Sequence, residues 1–250
     1  MSALIVWGLH CVASSPDSWR RLVSVPVMPA IATRNDLLAA LVTRCRAVDV
    51  PHTTRVAIDG PDAAGKTSLA ADLATAIGAG AIRVSIDGFH HPAAIRKRRE
   101  LLSAEGYYRD SFDNDMIVSA VLRPLGPAGD ARFVRATFDY RTDQTVPSPV
   151  ETAAPGSILI CDGVFLLRPE LRDHWDLTIY LHVDPEETLR RALVRDLYQF
   201  GSRAEVERRY RGRYLPGQQL YRTEADPISR ADLAIDNSDP ARPVIIRSTG

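Results

Sequence analysis

The sequence predicts a three-layer α/β fold, with helices on both faces of a parallel sheet. Three observations point there. Residues 55–77, RVAIDGPDAAGKTSLAADLATAI, read as strand, glycine-containing loop and helix in one unbroken unit. Further apolar runs at 82–86, 158–161, 177–183 and 231–236 alternate with helical patterns, as βαβ units do. Two of these runs end in Asp-Gly, which places Asp87 and Asp162 at the carboxyl ends of strands, where open α/β sheets bind ligands.

Composition narrows the function classes. A chain of 250 residues can bury a full core as one domain, with or without a lid. Its 31 basic and 31 acidic residues balance, which gives no electrostatic case for a nucleic-acid or membrane partner. No apolar run approaches the length of a membrane span. The three cysteines, Cys11, Cys45 and Cys161, lack paired spacing, so a reduced, cytoplasmic setting is expected, without a disulfide framework or zinc site. Residues 1–28 carry no basic segment ahead of their apolar stretch and are broken by Pro16 and Pro26. They are expected to be a poorly ordered extension or a misassigned start, because Met28 directly precedes a helical pattern. Residues 29–250 are expected to form a single domain, with a lid at about 185–222.

The first helix is expected to be capped by Asn35 or Asp36 and to run to about Val48, with Leu37, Leu38, Leu41 and Val42 on one face. Val56, Ala57 and Ile58 then form a buried strand. Gly60, Pro61, Asp62, Ala63, Ala64, Gly65, Lys66 and Thr67 fit the phosphate-loop pattern, with Ser68 following. Gly60 and Gly65 let the backbone turn tightly and approach phosphates. Successive amides and the positive end of the next helix form an anion nest. Lys66, one of only two lysines, would reach the β- and γ-phosphates, and the Thr67 hydroxyl would take one Mg²⁺ position.

Strand 82–86 delivers Asp87. Asp-Gly is also a turn dipeptide, so a capping role competes. The upstream phosphate loop favours a catalytic one, in which Asp87 accepts the proton of an attacking hydroxyl. The basic run from Arg96 to Arg99 reads equally as a solvated face or as phosphate contacts. Residues 115–122 read as a helix, 132–140 as a strand or hairpin arm, and the proline-rich stretch 142–156 as loop. The buried run ending at Asp162 has the pattern of a strand presenting an acid to a metal, so Asp162 would hold Mg²⁺ directly or through water. After strand 177–183, Pro185 opens a helix expected to reach about Phe200. It carries Arg190, Arg191 and Arg195, and Arg203, Arg208, Arg209, Arg211 and Arg213 follow. Such density is usually a solvated face. Here it lies where a lid would bring guanidinium groups onto a triphosphate. Strand 231–236 precedes a polar tail.

Together, GPDAAGKTSLA, SIDGFH, DSFDND, FDYRTD, ICDGVFLL and RRALVRD resemble the uridine kinase group of phosphate-loop kinases, which includes pantothenate kinase and phosphoribulokinase. The resemblance covers about residues 55–237. It implies a five-stranded parallel core, ATP with Mg²⁺, and transfer of the γ-phosphoryl group to a hydroxyl of a small molecule. It assigns catalysis to Asp87, Lys66 and Arg195. On the acceptor side it points to Asp87, Phe89, His90, Tyr107, Tyr108, Asp139 and Arg191. Departures bear on the acceptor. The family's acid for ribose hydroxyls has no counterpart among Gly106, Tyr107, Tyr108 and Arg109, and its base-contacting tyrosine and histidine fall on Phe138 and Asp143. A nucleoside such as uridine or cytidine is the expected acceptor. A non-nucleoside such as pantothenate, or a nucleotide switch without a small substrate, are the alternatives. The missing guanine-reading motif and the acid at Asp87 argue against the switch.

Overall fold

The computed structural model describes residues 33–249, so the expectation for residues 1–28 lies outside the described residues. The first element, α1 (Arg34–Ala47), is capped by Thr33 rather than by Asn35 or Asp36. Thr33 accepts from the Asp36 amide, and the Asp36 side chain returns a bond to the Thr33 backbone, a reciprocal capping box. Then come β1 (Thr54–Asp59), α2 (Lys66–Ile77) and β2 (Ala81–Ser85), which passes into a three-ten turn at Ile86–Phe89. Next is α3 (Ala104–Asp110). The helix expected over 115–122 is present as Asn114–Ile117 running into a π turn at Val118–Leu122. The expected hairpin arm shrinks to two-residue pairs, Arg132–Phe133 with Glu151–Thr152 and Phe138–Asp139 with Gln144–Thr145.

After β3 (Ile158–Gly163) and β4 (Leu177–His182), α4 (Pro185–Arg195) ends before the expected Phe200, which lies in a separate turn, Leu197–Phe200. Then α5 (Arg203–Arg209) continues through a π turn at Tyr210–Tyr214 into α6 (Leu215–Ala225). Last come β5 (Leu233–Asp236) and β6 (Val244–Ser248).

The sheet order is β6-β5-β4-β1-β3-β2. Five strands run parallel, as the resemblance implies. The sixth, β6, is an antiparallel edge strand with a bulge. It falls in the segment read as a polar tail, because its half-exposed residues do not form the continuous apolar run of a strand buried on both faces. β1 and β3 are buried along their whole length, and each pairs with a strand on both sides.

One sheet face packs Val56, Ile58, Ile160 and Ile179 against Leu37 and Leu41 of α1 and Leu69 and Leu73 of α2. The other packs Ala57, Leu159, Cys161 and Tyr180 against Tyr108, Phe112, Ile117, Val121 and Tyr221. That makes the three layers. α4 and α5 share a small separate core of Leu189, Ala192, Val206 and Tyr210. Burying their apolar stripes against each other lets them stand off the sheet as a unit.

Candidate active site

The chain leaves β1 towards β2 on one side and leaves β3 towards β4 on the other, so the strand order reverses between β1 and β3. Such a reversal opens a crevice at the strands' carboxyl ends. Residues 60–65 lie there. Gly60 has φ 152°, and a Cβ on it would lie 2.5 Å from the Leu181 carbonyl oxygen, so no other residue fits the exit from β1. Gly65 at φ 89° and Ala63 at φ 56° are both left-handed, which turns successive amides towards the loop's concave side. Lys66 Nζ donates to the Pro61 carbonyl at 2.6 Å across the loop. Burial lowers the Lys66 pKa, while the charges of Asp62 and Asp59 oppose that shift. Ser68 is exposed on the first turn of α2.

Thr67 Oγ1 donates to Asp162 Oδ2 at 2.7 Å. Register brings Asp162 opposite Ile58 of β1 and Ser85 of β2. Burial raises the Asp162 pKa, and the Thr67 hydrogen bond works against it. No cluster of three or more His, Cys, Asp or Glu side chains suited to a metal exists among the described residues. A Mg²⁺ ion fits Thr67 and Asp162 all the same, because this ion keeps waters and phosphate oxygens in its shell and needs few protein ligands.

Asp87 stands on the turn after β2, with its amide bonded to Ser85 Oγ. Its side chain is open to the cleft. The enclosing cleft walls raise its pKa. Lys66 lowers it, Asp62 raises it, and Arg195 and Arg141 lower it. Those charges therefore ring the carboxylate, and the structure brings Asp87, Lys66, Asp62 and Arg195 together. Arg195 donates to Asp196 at 2.6 and 3.0 Å and to the Tyr210 hydroxyl at 3.1 Å. Burial opposes the Arg195 charge most strongly, but Asp196, Tyr210 and Asp62 together outweigh it and raise the pKa.

The remaining predicted acceptor residues separate into groups. His90 lies 3.0 Å from the Asp87 carbonyl, with its ring centroid 4.4 Å from that of Phe112 and 4.6 Å from that of Tyr140. Burial lowers its pKa to about 4, so it is neutral at pH 7. Tyr107 reaches the phosphate loop, its hydroxyl donating to Asp62 Oδ2 at 2.8 Å. Asp139 accepts from the Arg141 amide at 2.9 Å and caps the turn that carries Arg141. Phe89 and Tyr108 are not brought to the cleft. Both are buried in the core, where Tyr108 packs on Phe165 and Tyr221 beneath the Arg168 guanidinium. Arg191 is occupied by the Glu187 carboxylate, to which it donates at 2.7 Å, and by the carbonyls of Ala63, Asn237 and Ser238 at 3.2, 2.7 and 2.9 Å. In the run at Arg96–Arg99, Lys97, Arg98 and Arg99 are exposed, which fits the solvated-face reading, and the arginines are ion-paired. Arg96 pairs with Asp143, and Arg98 and Arg99 pair with Asp110.

Two site residues escaped sequence reasoning. Asp59, fully buried beneath the loop, accepts from the Gly60 amide at 2.7 Å, the Leu167 amide at 3.1 Å and the Tyr221 hydroxyl. Burial pushes its pKa up to about 6 against those bonds, Tyr221's foremost. Its signal was an acid at the end of an otherwise apolar strand. Asn237 donates to the Ala64 carbonyl at 2.7 Å, while its Oδ1 and Ser238 Oγ are buried without a hydrogen-bond partner. Nothing in the polar stretch after β5 marked it.

Residues 56–214 match the profile of the phosphoribulokinase/uridine kinase family. A uridine kinase of Chlamydia pneumoniae is 26% identical over 148 residues, 58% of this chain and 65% of that protein. A pantothenate kinase of Shewanella piezotolerans is 28% identical over 135 residues, 50% of this chain and 42% of that protein. The chain thus spans less than two thirds of each of these relatives. A solved structure described as a possible uridine kinase from Bacillus stearothermophilus superposes with a TM-score of 0.62 at 20% identity, covering 80% of this chain and 97% of that one. At that identity the likeness speaks for the fold alone.

Proposed function

The chain belongs to the phosphoribulokinase/uridine kinase family, and from that premise we propose that it is an ATP-dependent kinase transferring the γ-phosphoryl group to a hydroxyl of a nucleoside, uridine or cytidine first. The observation that carries the reading is one cleft holding the Lys66 loop, the Thr67–Asp162 pair and the Asp87 carboxylate.

In this reading, the amides of residues 60–65 and Lys66 hold the triphosphate at the positive end of α2. Thr67 and Asp162 hold Mg²⁺, which would neutralise charge on the phosphate oxygens. Asp87 orients the acceptor hydroxyl and takes its proton as the oxygen attacks. Its raised pKa makes it a better base than an ordinary aspartate. Arg195 stabilises the transferring group from the far wall. Residues 185–222 act as a lid, and the separate core shared by α4 and α5 supports that. Asn237 Oδ1 and Ser238 Oγ, beside the loop, are suited to an edge of the nucleotide base. A cytoplasmic setting fits the buried, free Cys45 and Cys161 thiols.

A non-nucleoside acceptor such as pantothenate is the second reading. The pantothenate kinase match and the lack of an acid at residues 106–109 favour it. ADP release from Mg-ATP, measured with uridine, cytidine, pantothenate and simple sugars, tests both. Turnover with uridine or cytidine is expected. Turnover with pantothenate alone keeps the chemistry and replaces the acceptor. ATP binding without turnover on these acceptors shifts weight to an untested acceptor or to a nucleotide switch, and hydrolysis without any acceptor contradicts the kinase reading and favours the switch.

A further inference from the structure

The Asp62 carboxylate is unexplained by the roles given so far. It stands on a loop that gathers anions, where a negative side chain opposes a triphosphate. Tyr107 holds it from behind, its hydroxyl donating to Oδ2 at 2.8 Å. That phenol has little freedom. Its ring centroid lies 5.0 Å from Phe165 and 4.9 Å from Tyr214, and α6 approaches so closely that a Cβ on Gly217 would lie 2.7 Å from Tyr107 Cδ1. Asp62 is therefore held by one oxygen, while Oδ1 accepts no hydrogen bond among the described residues. The charge also bears on Lys66, Asp87 and Arg195, which puts it in the same cleft as the base.

The acceptor segment lacks an acid, for residues 106–109 are Gly, Tyr, Tyr and Arg. Yet Tyr107 of that segment reaches across to an acid on the loop. We infer that Asp62 is the acceptor-binding carboxylate, its Oδ1 accepting from a hydroxyl neighbouring the one phosphorylated, with Tyr107 as the positioning residue. The acceptor class is then a polyol, such as the furanose of a nucleoside, rather than a compound with a single hydroxyl. The inference rests on the kinase reading above. A hydroxyl donor suits the free oxygen, whereas a phosphate would meet like charge.

The test compares uridine, 2′-deoxyuridine and 3′-deoxyuridine as acceptors for the wild type, Asp62→Asn and Tyr107→Phe. A hydrogen bond to a charged group predicts that Asp62→Asn raises the uridine KM by about 10- to 100-fold, with the ATP KM nearly unchanged. The wild type should disfavour one deoxynucleoside by a similar factor, and Asp62→Asn should lose that preference. Tyr107→Phe should shift both quantities in the same direction by less, and it serves alone if Asp62→Asn does not fold. Retained discrimination in the variants, or a rise confined to the ATP KM, overturns the inference and leaves the kinase reading standing. No turnover with any of these three acceptors in the wild type overturns the inference alone, because turnover with another acceptor, such as pantothenate, keeps the kinase reading.

Discussion

Thr67 and Asp162 stand 95 residues apart in the chain, yet the threonine hydroxyl donates to the carboxylate at 2.7 Å. The contact joins the first turn of α2 to the end of β3, and parallel pairing of β1 with β3 brings it about. Two oxygen ligands at this separation can share one small hard cation. Asp162→Ala is expected to lower kcat by about 10²-fold or more at ordinary Mg²⁺, with partial recovery as Mg²⁺ is raised. A Mg²⁺ titration of ADP release checks this. An unchanged midpoint would take Asp162 out of the metal site.

Asp59 gives a pH signature. Its folded pKa of about 6 lies above the ordinary 3.8, so its protonated form is the one folding favours. That contribution is complete below pH 3.8 and is lost as pH rises through 6, a loss of about 3 kcal/mol. Asp59→Asn removes the titration at a constant cost in hydrogen bonds. The stability of the variant relative to wild type should therefore rise by up to about 3 kcal/mol between pH 4 and pH 7. Denaturant unfolding across that range measures it, and a flat difference would contradict the assignment.

Gly217 sets the spacing between α6 and α3. A Cβ there would meet Tyr107 Cδ1 at 2.7 Å and the Ala104 carbonyl oxygen at 3.0 Å. Alanine gains up to about 1 kcal/mol in helix propensity. Overpacking against a backbone atom costs about 1–3 kcal/mol and should prevail. Gly217→Ala is thus expected to lower the melting temperature by a few degrees, and the acceptor KM should rise because Tyr107 moves. Thermal unfolding and kinetics on one preparation read both.

Arg195 tests the far wall of the cleft. Its guanidinium is braced by Asp196 and Tyr210, and Asp196 is itself buried. Arg195→Ala is expected to lower kcat by roughly 10²-fold or more while ATP affinity changes far less, because the charge acts on the transferring group. Equal losses in both would make Arg195 a ground-state phosphate contact.

Local patterns made the β1–loop–α2 unit, Asp87 and Asp162 legible, because each lies at the end of an apolar run whose period reports a strand. Long-range partners were not legible. The bond from Tyr221 to Asp59 spans 162 residues and that from Tyr107 to Asp62 spans 45. No spacing rule encodes either. Motif resemblance also pointed to Phe89 and Tyr108 without saying which way they face. Both side chains turn into the core, where burying a large aromatic is most favourable. The cap at Thr33 was missed because Asn35 and Asp36 are stronger capping residues by type. The reciprocal bond between Thr33 and Asp36 decides the start instead.

The proposed mechanism has Asp87 activate an acceptor hydroxyl in the cleft formed by Lys66, Thr67 and Asp162. Acceptor-dependent ADP release, run beside an ATP-binding titration for the wild type and Asp87→Asn, tests it most directly. Nearly equal ATP affinity is expected, with turnover about 10²-fold or more lower in the variant. Normal turnover in Asp87→Asn, or ADP release that is indifferent to the acceptor in the wild type, would contradict it.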